Sequence, residues 1–237
     1  MNSVIAFTPL RGISTRLGFD KGLAMLGGHP LVAWTIRAAL DSEVFDRVVV
    51  VTANEEHDKI AERYGAEVLE RPADTTTPTS PDIDWVRFAL GEVRCFSFSI
   101  LRCTSPFRGP TSIKLAAAKF WASSGAHSLR SVRPVSQHPA KMWVMRNERL
   151  LPLLPMGPAE QPWHSSATQS LFDCFIQTAG MEFAYSETVA ATGTIAGSVV
   201  IPFVLEGYEA LDINTRDDWD EAVAAVEGGL VELPNSL

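Results

Sequence analysis

The sequence predicts an α/β fold, a mostly parallel sheet with helices on both faces, in a single domain over residues 1–237. Apolar or β-branched runs alternate with amphipathic segments through the first half of the chain, as they do where crossover helices join parallel strands. Residues 45–52 include four consecutive valines, which is typical of a strand buried on both faces. Beyond residue 128 the alternation stops, and we expect an inserted arm at about 133–180.

The pattern places the elements of the first half in order. Asn54 and Gly65 are the expected N-cap and stop of an amphipathic helix. The segment 71–81, rich in proline and threonine, is expected to be a loop. The predicted strands are 4–7, 45–52, 66–69 and 96–101, and the predicted helices are 30–40, 54–64, 83–90 and 111–123.

The second half is less regular. Residues 150–163 are rich in proline and are expected to be irregular. Asp217 and Asp218 fall in the first turn of a final helix, where the helix dipole favours carboxylates. The predicted strands are 128–132, 142–145, 178–185, 195–203 and 211–214, and the predicted helices are 168–176 and 215–226.

Composition excludes several classes of function. The net charge of −8 argues against non-specific binding to nucleic acid or to a membrane surface. No apolar run is long enough to span a bilayer, and residues 1–30 hold no unbroken apolar signal segment. Three cysteines without metal-type spacing indicate reduced thiols in a cytoplasmic protein.

The loop after the first predicted strand is the first candidate site. It carries Arg11, Arg16 and Lys21 among Gly12 and Ser14. Cations on a curled glycine- and serine-containing loop suit a polyphosphate, because backbone N–H groups and side-chain charge both face oxyanions. Three scattered cations alone favour the simpler interpretation of a solvated basic loop.

Two further segments follow predicted strands. Residues 100–108 end in Thr104 and Ser105 with two flanking arginines, which would also suit ordinary turn chemistry. Asp212 precedes the last helix, where it is either a Mg²⁺ ligand or a helix cap. In a parallel sheet both segments, the opening loop and the loop at Arg71 converge at the carboxyl edge.

Taken together, these segments resemble the acylneuraminate cytidylyltransferase family, which includes the CMP-sialic acid and CMP-keto-deoxyoctonate synthetases. Residues 10–17 and 21–23, LRGISTRL and KGL, are similar to the family opening A-R-G-G-S-K-R-L-P-G-K-N-L. Residues 100–108, ILRCTSPFR, are similar to L-L-Q-P-T-S-P-L-R. Other matches lie at 28–36, 45–50, 64–68, 71–73, 138–141 and 211–215.

The resemblance implies a Rossmann-like nucleotidyltransferase with an inserted dimerisation arm, CTP as donor, Mg²⁺ as cofactor and a homodimer. Lys21 would act at the α-phosphate, with Arg11 and Arg16 along the β- and γ-phosphates. Asp212 would hold the metal together with Asn214, which replaces the family's second carboxylate. The nucleotide-binding residues implied are Leu10, Arg11, Gly12, Ser14, Arg16, Lys21, Arg71, Ser80 and Asp82.

The acceptor side departs most from the family pattern. The family's glutamine is Arg102 here, and a guanidinium pairs bidentately with carboxylate or phosphonate oxygens. We therefore expect a small acidic acceptor, with a phosphonate slightly favoured over a 2-keto sugar acid. The predicted acceptor-binding residues are Arg102, Thr104, Ser105, Arg108, Arg133, Lys141 and Gln177.

Two other functions stay open at this point. Ile13, Thr15 and Gly22 depart from the family's loop, so the enzyme could use a different nucleotide. A non-catalytic paralogue that binds a nucleotide is the second, supported by Ile13 and Asn214. The retained Lys21, together with Arg11, Asp212 and Arg71, speaks against that second possibility.

Overall fold

The computed structural model of the protein describes residues 3–12, 17–77 and 79–232. It consists of two compact units. The first comprises Met1–Ser131 and Thr178–Leu237 and is called the sheet unit; the second, Val132–Gln177, is called the arm. The single domain over 1–237, with its insertion at about 133–180, stays a prediction.

A seven-stranded sheet forms the scaffold. The strands in chain order are β1 (Val4–Pro9), β2 (Met25–Leu26), β3 (His29–Pro30), β4 (Arg47–Thr52), β5 (Glu67–Glu70), β6 (Ser97–Ile100), β7 (Ser128–Pro134), β8 (Trp143–Arg146), β9 (Arg149–Pro152), β10 (Phe175–Tyr185) and β11 (Val200–Val204). The sheet order is β11-β7-β10-β6-β1-β4-β5. The pairs β1–β4, β1–β6 and β4–β5 are parallel, and β6–β10 is antiparallel.

Helices cover both faces of this sheet, as the alternation predicts. They are α1 (Leu31–Asp41), α2 (Glu55–Arg63), α3 (Asp82–Glu92), α4 (Pro110–Ala122), α5 (Ser186–Thr192) and α6 (Arg216–Glu227). Val48 and Val50 of β4 pack in one core with Trp34 of α1. Val49 packs in a second core with Trp85 of α3. Both faces of β4 are therefore buried, and each fully buried valine contributes about 1.5–3 kcal/mol.

Three predicted helix ends are confirmed, two of them in α2 and one in α6. Asn54 caps α2, with its Oδ1 accepting from the Glu56 amide at 2.9 Å. Gly65 follows that helix at a φ of 91°, a left-handed conformation that glycine adopts at little cost. Thr215 caps α6 in a capping box with Asp218, which places Asp217 and Asp218 in the first turn as expected.

The arm differs from the sequence prediction. The helix expected over 168–176 is wrong: only Thr168–Ser170 form a short 3₁₀ turn, and Phe175 begins a strand. The apolar residues of segment 168–176 are spaced as on a helix face, but Phe172 packs on the Trp163 ring, with 5.0 Å between the ring centroids. The segment expected to be irregular from residue 150 begins as β9, which pairs with β8 in a hairpin.

The sheet unit holds two further corrections. The strand expected over 211–214 is a loop, because the Asn214 amide nitrogen Nδ2 donates to Asp212 Oδ2 and satisfies that side chain locally. Helix α5 was not predicted. Within the described part of the chain, no helix is long and apolar enough to cross a membrane.

Candidate active site

The carboxyl edge of β1, β4 and β6 brings the predicted segments together. The Leu10 amide, at the start of the opening loop, donates to the Val51 carbonyl at 3.0 Å. The Arg71 amide donates to the Thr52 carbonyl at 2.7 Å. These backbone bonds continue the parallel ladder beyond the strands, so both loops leave the sheet side by side. This is the convergence that the topology predicts.

Lys21 joins the opening loop to the loop at 212–214. Its ammonium nitrogen Nζ donates to the Ile213 carbonyl oxygen at 2.6 Å. The Ile213 amide in turn donates to the Thr104 carbonyl oxygen at 2.8 Å. The predicted catalytic cation therefore contacts the backbone of Ile213, the residue between the two predicted metal ligands Asp212 and Asn214. Ile213 in turn contacts the predicted acceptor segment at Thr104.

The charge of Lys21 also acts on Asp218, in the first turn of α6. Burial opposes ionisation of Asp218, but hydrogen bonds from Asn214 and Thr215, together with the Lys21 charge, hold the pKa of Asp218 below its usual range. Asp218 Oδ2 accepts from the Asn214 and Thr215 amides at 2.8 and 2.7 Å. The loop that carries Asp212 is thus fixed from its carboxyl-terminal side by a charged group.

Asp212 fits a single-carboxylate Mg²⁺ site. Its Oδ2 accepts from Asn214 Nδ2 at 2.6 Å, whereas its Oδ1 is buried without a hydrogen-bond partner among the described residues. An orphaned carboxylate oxygen suits Mg²⁺, which combines one or two carboxylates with substrate phosphates. The described ranges contain no cluster of three or more His, Cys, Asp or Glu side chains arranged for a metal.

Arg71 contributes a buried cation. It is 2% exposed, its Nε donates to Thr75 Oγ1 at 2.9 Å, and its guanidinium lies over the Trp85 ring at 5.7 Å. Burial and the nearby Arg11 charge lower the pKa of Arg71 to about 10. Its Nη1 is buried and finds no acceptor in the described part of the chain, an arrangement that suits an anion.

A chain of ion pairs runs across the site. Arg11 contacts Asp82 at 3.2 Å, and Asp82 contacts Arg102 at 2.6 Å. Arg102 contacts Glu182 at 2.5 Å, and Glu182 contacts Arg130 at 3.0 Å. Three arginines thus share two carboxylates. The predicted nucleotide side, at Arg11 and Asp82, is thereby connected to the predicted acceptor side, at Arg102.

The pKa values follow from this chain. Burial disfavours the charged form of Asp82, but Arg102, the Trp85 N–H and Arg11 together hold the pKa of Asp82 below its usual range. Burial also disfavours the Arg102 cation, but Glu182 and Asp82 outweigh it and raise the pKa of Arg102. Both groups therefore stay ionised at neutral pH.

The sequence did not point to Glu182, Arg130, Asp20 or His57. Glu182 interrupts the apolar run of β10 and is 3% exposed. Charged residues are almost never fully buried unless they are paired. An acidic residue inside an apolar strand was therefore the available signal. His57 is buried and contacts Asp20.

The remaining predicted residues have diverse surroundings. Arg108 is buried, donates to the Gly180 carbonyl and to Thr35 Oγ1 at 3.1 Å, and has its pKa lowered to about 10 by burial. Ser80 accepts from Arg11 through its carbonyl oxygen, at 3.4 Å.

Three predicted acceptor-binding residues belong to the arm. Lys141 donates to the carbonyls of His164 and Ser166 inside the arm. Arg133 and Gln177 also belong to the arm, Gly12 is exposed, and Ser14 and Arg16 lie outside the described residues.

Cys103 lies in the same motif as Arg102 and is close to Lys21. Burial raises the pKa of the Cys103 thiol to about 12, with the Lys21 charge acting in the opposite direction. The thiolate is the nucleophilic form of cysteine. Cys103 is therefore a packing residue and not a nucleophile at neutral pH.

Comparison with known proteins identifies the family. Residues 5–137, more than half of the chain, match the cytidylyltransferase family model. The chain is 41% identical over 111 residues to an N-acylneuraminate cytidylyltransferase of Escherichia coli, an alignment covering 46% of this chain and 26% of that protein. It is 36% identical over 143 residues to a CMP-N,N'-diacetyllegionaminic acid synthase of Legionella pneumophila, covering 58% and 60%.

A solved structure of a CMP:2-keto-3-deoxy-manno-octonic acid synthetase complexed with CTP superposes with a TM-score of 0.72. It is 13% identical and covers 96% of this chain and 99% of that one, so it supports the fold alone. The chain spans about half the length of several curated relatives that it matches. On the strength of the family match over residues 5–137, the chain belongs to the cytidylyltransferase family.

Proposed function

We propose that this chain transfers CMP from CTP to a sugar-acid acceptor with release of pyrophosphate. The observation that carries the proposal is the contact of Lys21 with the loop at 212–214: its ammonium nitrogen donates to the Ile213 carbonyl oxygen, and the residue before Ile213 is Asp212, which has an orphaned carboxylate oxygen. The buried Arg71 and its neighbour Arg11 add further positive charge among the predicted nucleotide-binding residues. A cation and a metal-suited carboxylate brought to one loop are what an attacked α-phosphate requires.

The residues have separate roles in this reaction. An acceptor oxygen attacks the α-phosphorus in line, the bond to the bridging oxygen breaks, and pyrophosphate leaves with the electron pair. Lys21 stabilises the charge that develops at the α-phosphate, and Arg11 and Arg71 orient the nucleotide. Asp212 and Asn214 would hold Mg²⁺, which when bound neutralises charge on the departing phosphates.

We propose a sugar acid as the acceptor in place of the phosphonate that the sequence prediction slightly favoured on the basis of Arg102. The three relatives described above are named for acylneuraminate, diacetyllegionaminic acid and keto-deoxy-octonic acid, and none of the three is named for a phosphonate. Moreover, Arg102 already contacts the carboxylates of Asp82 and Glu182. Its charge is therefore compensated inside the protein, which removes the main argument for a compact, highly charged acceptor.

Pyrophosphate release tests the proposal. The protein is incubated with Mg²⁺ and each of CTP, UTP, ATP and GTP, in the presence of N-acetylneuraminate, keto-deoxy-octonate or a small phosphonate. We expect release with CTP and a sugar acid. Release only with a phosphonate would overturn the acceptor assignment, and release only with another nucleotide would overturn the donor. No release in any combination would favour the non-catalytic paralogue that Asn214 suggests.

We further propose that the arm mediates a homodimer. Its β8–β9 hairpin exposes apolar side chains on both strands: Trp143, Val144, Met145, Leu150 and Leu151. Contiguous exposed apolar patches mark interaction surfaces more often than they mark bare solvent-facing surface. A second copy of the chain is the partner that the family resemblance implies.

A further inference from the structure

A series of hydrogen bonds connects the two neighbours of Lys21 in the chain, Asp20 and Gly22, to His57 and then to Thr52. Asp20 Oδ1 accepts from the Gly22 amide at 2.9 Å, and Asp20 Oδ2 contacts His57 Nε2 at 2.8 Å. His57 Nδ1 contacts Thr52 Oγ1 at 2.7 Å. The residue before Lys21 and the residue after it are therefore held by one carboxylate, which is itself bound to a side chain of α2.

The direction of one of these hydrogen bonds is set by the carboxylate. A carboxylate oxygen only accepts, so His57 Nε2–H donates to Asp20 Oδ2. The direction of the bond between His57 Nδ1 and the Thr52 hydroxyl follows the protonation of the ring, and Thr52 Oγ1 also accepts from the Asn54 amide at 3.3 Å. Each polar atom of the His57 ring has one partner, which accounts for how a fully buried histidine is accommodated there.

The scaffold behind these hydrogen bonds is rigid. Thr52 ends β4, which lies between β1 and β5 in the sheet, and His57 lies in the first turn of α2 directly after it. Both residues are buried, with exposures of 1% and 0%. Among its described residues, the opening loop has, in contrast, the two-residue strands β2 and β3 as its only regular structure between β1 and α1. Backbone hydrogen bonds tie it to the start of α1, from the Val32 amide to the Gly22 carbonyl at 3.1 Å and from the Leu31 amide to the Ala24 carbonyl at 2.8 Å. The contact of Asp20 with His57 adds a side-chain attachment to β4 and α2.

We infer that His57 is a positioning residue that, through Asp20, fixes the Lys21 segment against the sheet; its catalytic consequence rests on the proposed function. His57 acts through Asp20 and is not assigned a substrate contact. A displacement of about 1 Å at a reacting group lowers turnover by up to about 100-fold. The loss of this contact should therefore reduce turnover more than it reduces CTP affinity.

Three variants separate positioning from simple stability. His57→Leu fills the buried volume but removes both hydrogen bonds. His57→Gln keeps an N–H that reaches toward Asp20 and serves as the conservative rescue. Asn54→Ala removes the N-cap of the same helix, whose Oδ1 binds the Glu56 amide, without touching Asp20, and serves as the matched control for a weakened α2.

The experiment combines amide hydrogen exchange with steady-state kinetics on the full chain. For His57→Leu we expect faster exchange in residues 20–24 and a kcat lower by roughly 10- to 100-fold, with the KM for CTP within about threefold. His57→Gln should restore both within about threefold. Asn54→Ala should lower the thermal midpoint while leaving kcat and the exchange of residues 20–24 unchanged.

Other outcomes are equally decisive. Unchanged exchange in residues 20–24 of His57→Leu would overturn the anchoring, and faster exchange with an unchanged kcat would overturn its catalytic consequence. A fall in kcat for Asn54→Ala as large as for His57→Leu would reduce the effect to helix stability. If the wild-type chain releases no pyrophosphate, the proposed function fails, and the exchange data alone then decide whether His57 anchors the loop.

Discussion

Asp82 is the residue at which the two sides of the candidate site share charge. Its carboxylate contacts Arg11 from the opening loop and Arg102 from the segment after β6, and it accepts from Trp85 Nε1 at 2.9 Å. Movement of either arginine toward a bound anion changes the field at the other. The carboxylate therefore links the predicted nucleotide and acceptor residues through a group that belongs to the protein.

The lowered pKa of Asp82 predicts a pH dependence of stability. Its folded pKa lies below the ordinary value of 3.8, so in acid the unfolded chain takes up the proton first. The contribution of Asp82 is complete above about pH 5 and is lost as the pH falls through its lowered pKa. We expect urea unfolding of Asp82→Asn to show a flatter loss of stability between about pH 5 and 3 than the wild type. Parallel curves would contradict this.

Removal of Arg102 is predicted to lower the free energy of unfolding, because its carboxylate partners lose a counter-charge. Arg102→Gln leaves Glu182, which is almost fully buried, with Arg130 as its remaining ion-pair partner, so we expect a loss of roughly 2–4 kcal/mol in the free energy of unfolding. The double variant Arg102→Gln with Glu182→Gln should recover most of that loss, because the buried carboxylate of Glu182 is then absent and Asp82 keeps its contact with Arg11. Simple addition of the two single losses would argue against the pairing.

The same variants also test whether Arg102 contributes to acceptor binding, through the acceptor KM. If Arg102 helps to orient the acceptor, Arg102→Gln should raise the acceptor KM while the KM for CTP changes little. An unchanged acceptor KM would remove Arg102 from the acceptor site and leave it a purely structural residue. The Glu182→Gln variant serves as the control, because it disturbs the ion pairs without removing the guanidinium.

The sequence predicted which segments with cations and carboxylates lie together, because the ends of parallel strands meet at one edge of a sheet. The sequence did not predict Glu182, Arg130 or the Asp20–His57 contact. Those partners are far apart in the chain, 37 residues in the case of Asp20 and His57. Their meeting depends on how α2 and β10 pack, which local periodicity does not specify.

At the scale of elements, helix α6 fixes the loop that carries Asp212. Thr215 Oγ1 accepts from the Asp218 amide at 3.2 Å, and Asp218 Oδ2 accepts from the Thr215 amide. The same carboxylate oxygen accepts from the Asn214 amide. The helix start is therefore continuous with the predicted metal loop, and any loosening of the cap reaches Asn214 directly.

Loss of this cap is predicted to affect both stability and the metal loop. Thr215→Ala should lower the free energy of unfolding by about 1 kcal/mol, the usual value of an N-cap hydroxyl, and should raise the Mg²⁺ concentration needed for half-maximal activity. Ser123→Ala, which removes an exposed hydroxyl at the end of α4, is the control and should change neither. Equal effects of the two substitutions would show that the cap has no special connection to the site.

Elements were predicted well where a single pattern decides them. The valine run of β4 and the capped, amphipathic α2 have one period and clear ends, so their predicted positions agree with the structure to within two residues. The prediction was wrong at 168–176 because the apolar residues there pack against other parts of the arm, as Phe172 does against His138 and Trp163. Spacing alone cannot distinguish such contacts from a helical face.

At the scale of the whole molecule, the proposed homodimer predicts a mass near twice that of the chain. Light scattering after size exclusion should give about 52 kDa, twice the 25.9 kDa of one chain. Met145→Glu with Leu150→Glu, both on the exposed hairpin, should yield a folded monomer, because two charges desolvate poorly in an apolar interface. Glu148→Gln in the same hairpin is the control. A wild-type monomer, or a double variant that stays dimeric, would contradict this use of the arm.

The proposed function of the whole chain depends on Lys21 acting at the α-phosphate of CTP, a role inferred from its contact with the loop at 212–214. The most direct measurement compares wild type with Lys21→Ala, using single-turnover formation of the CMP–sugar acid product and equilibrium binding of CTP with Mg²⁺. We predict that product formation falls by about 100-fold or more, while the Kd for CTP changes less than about fivefold. Equal losses in both quantities, or unchanged product formation, would contradict the account.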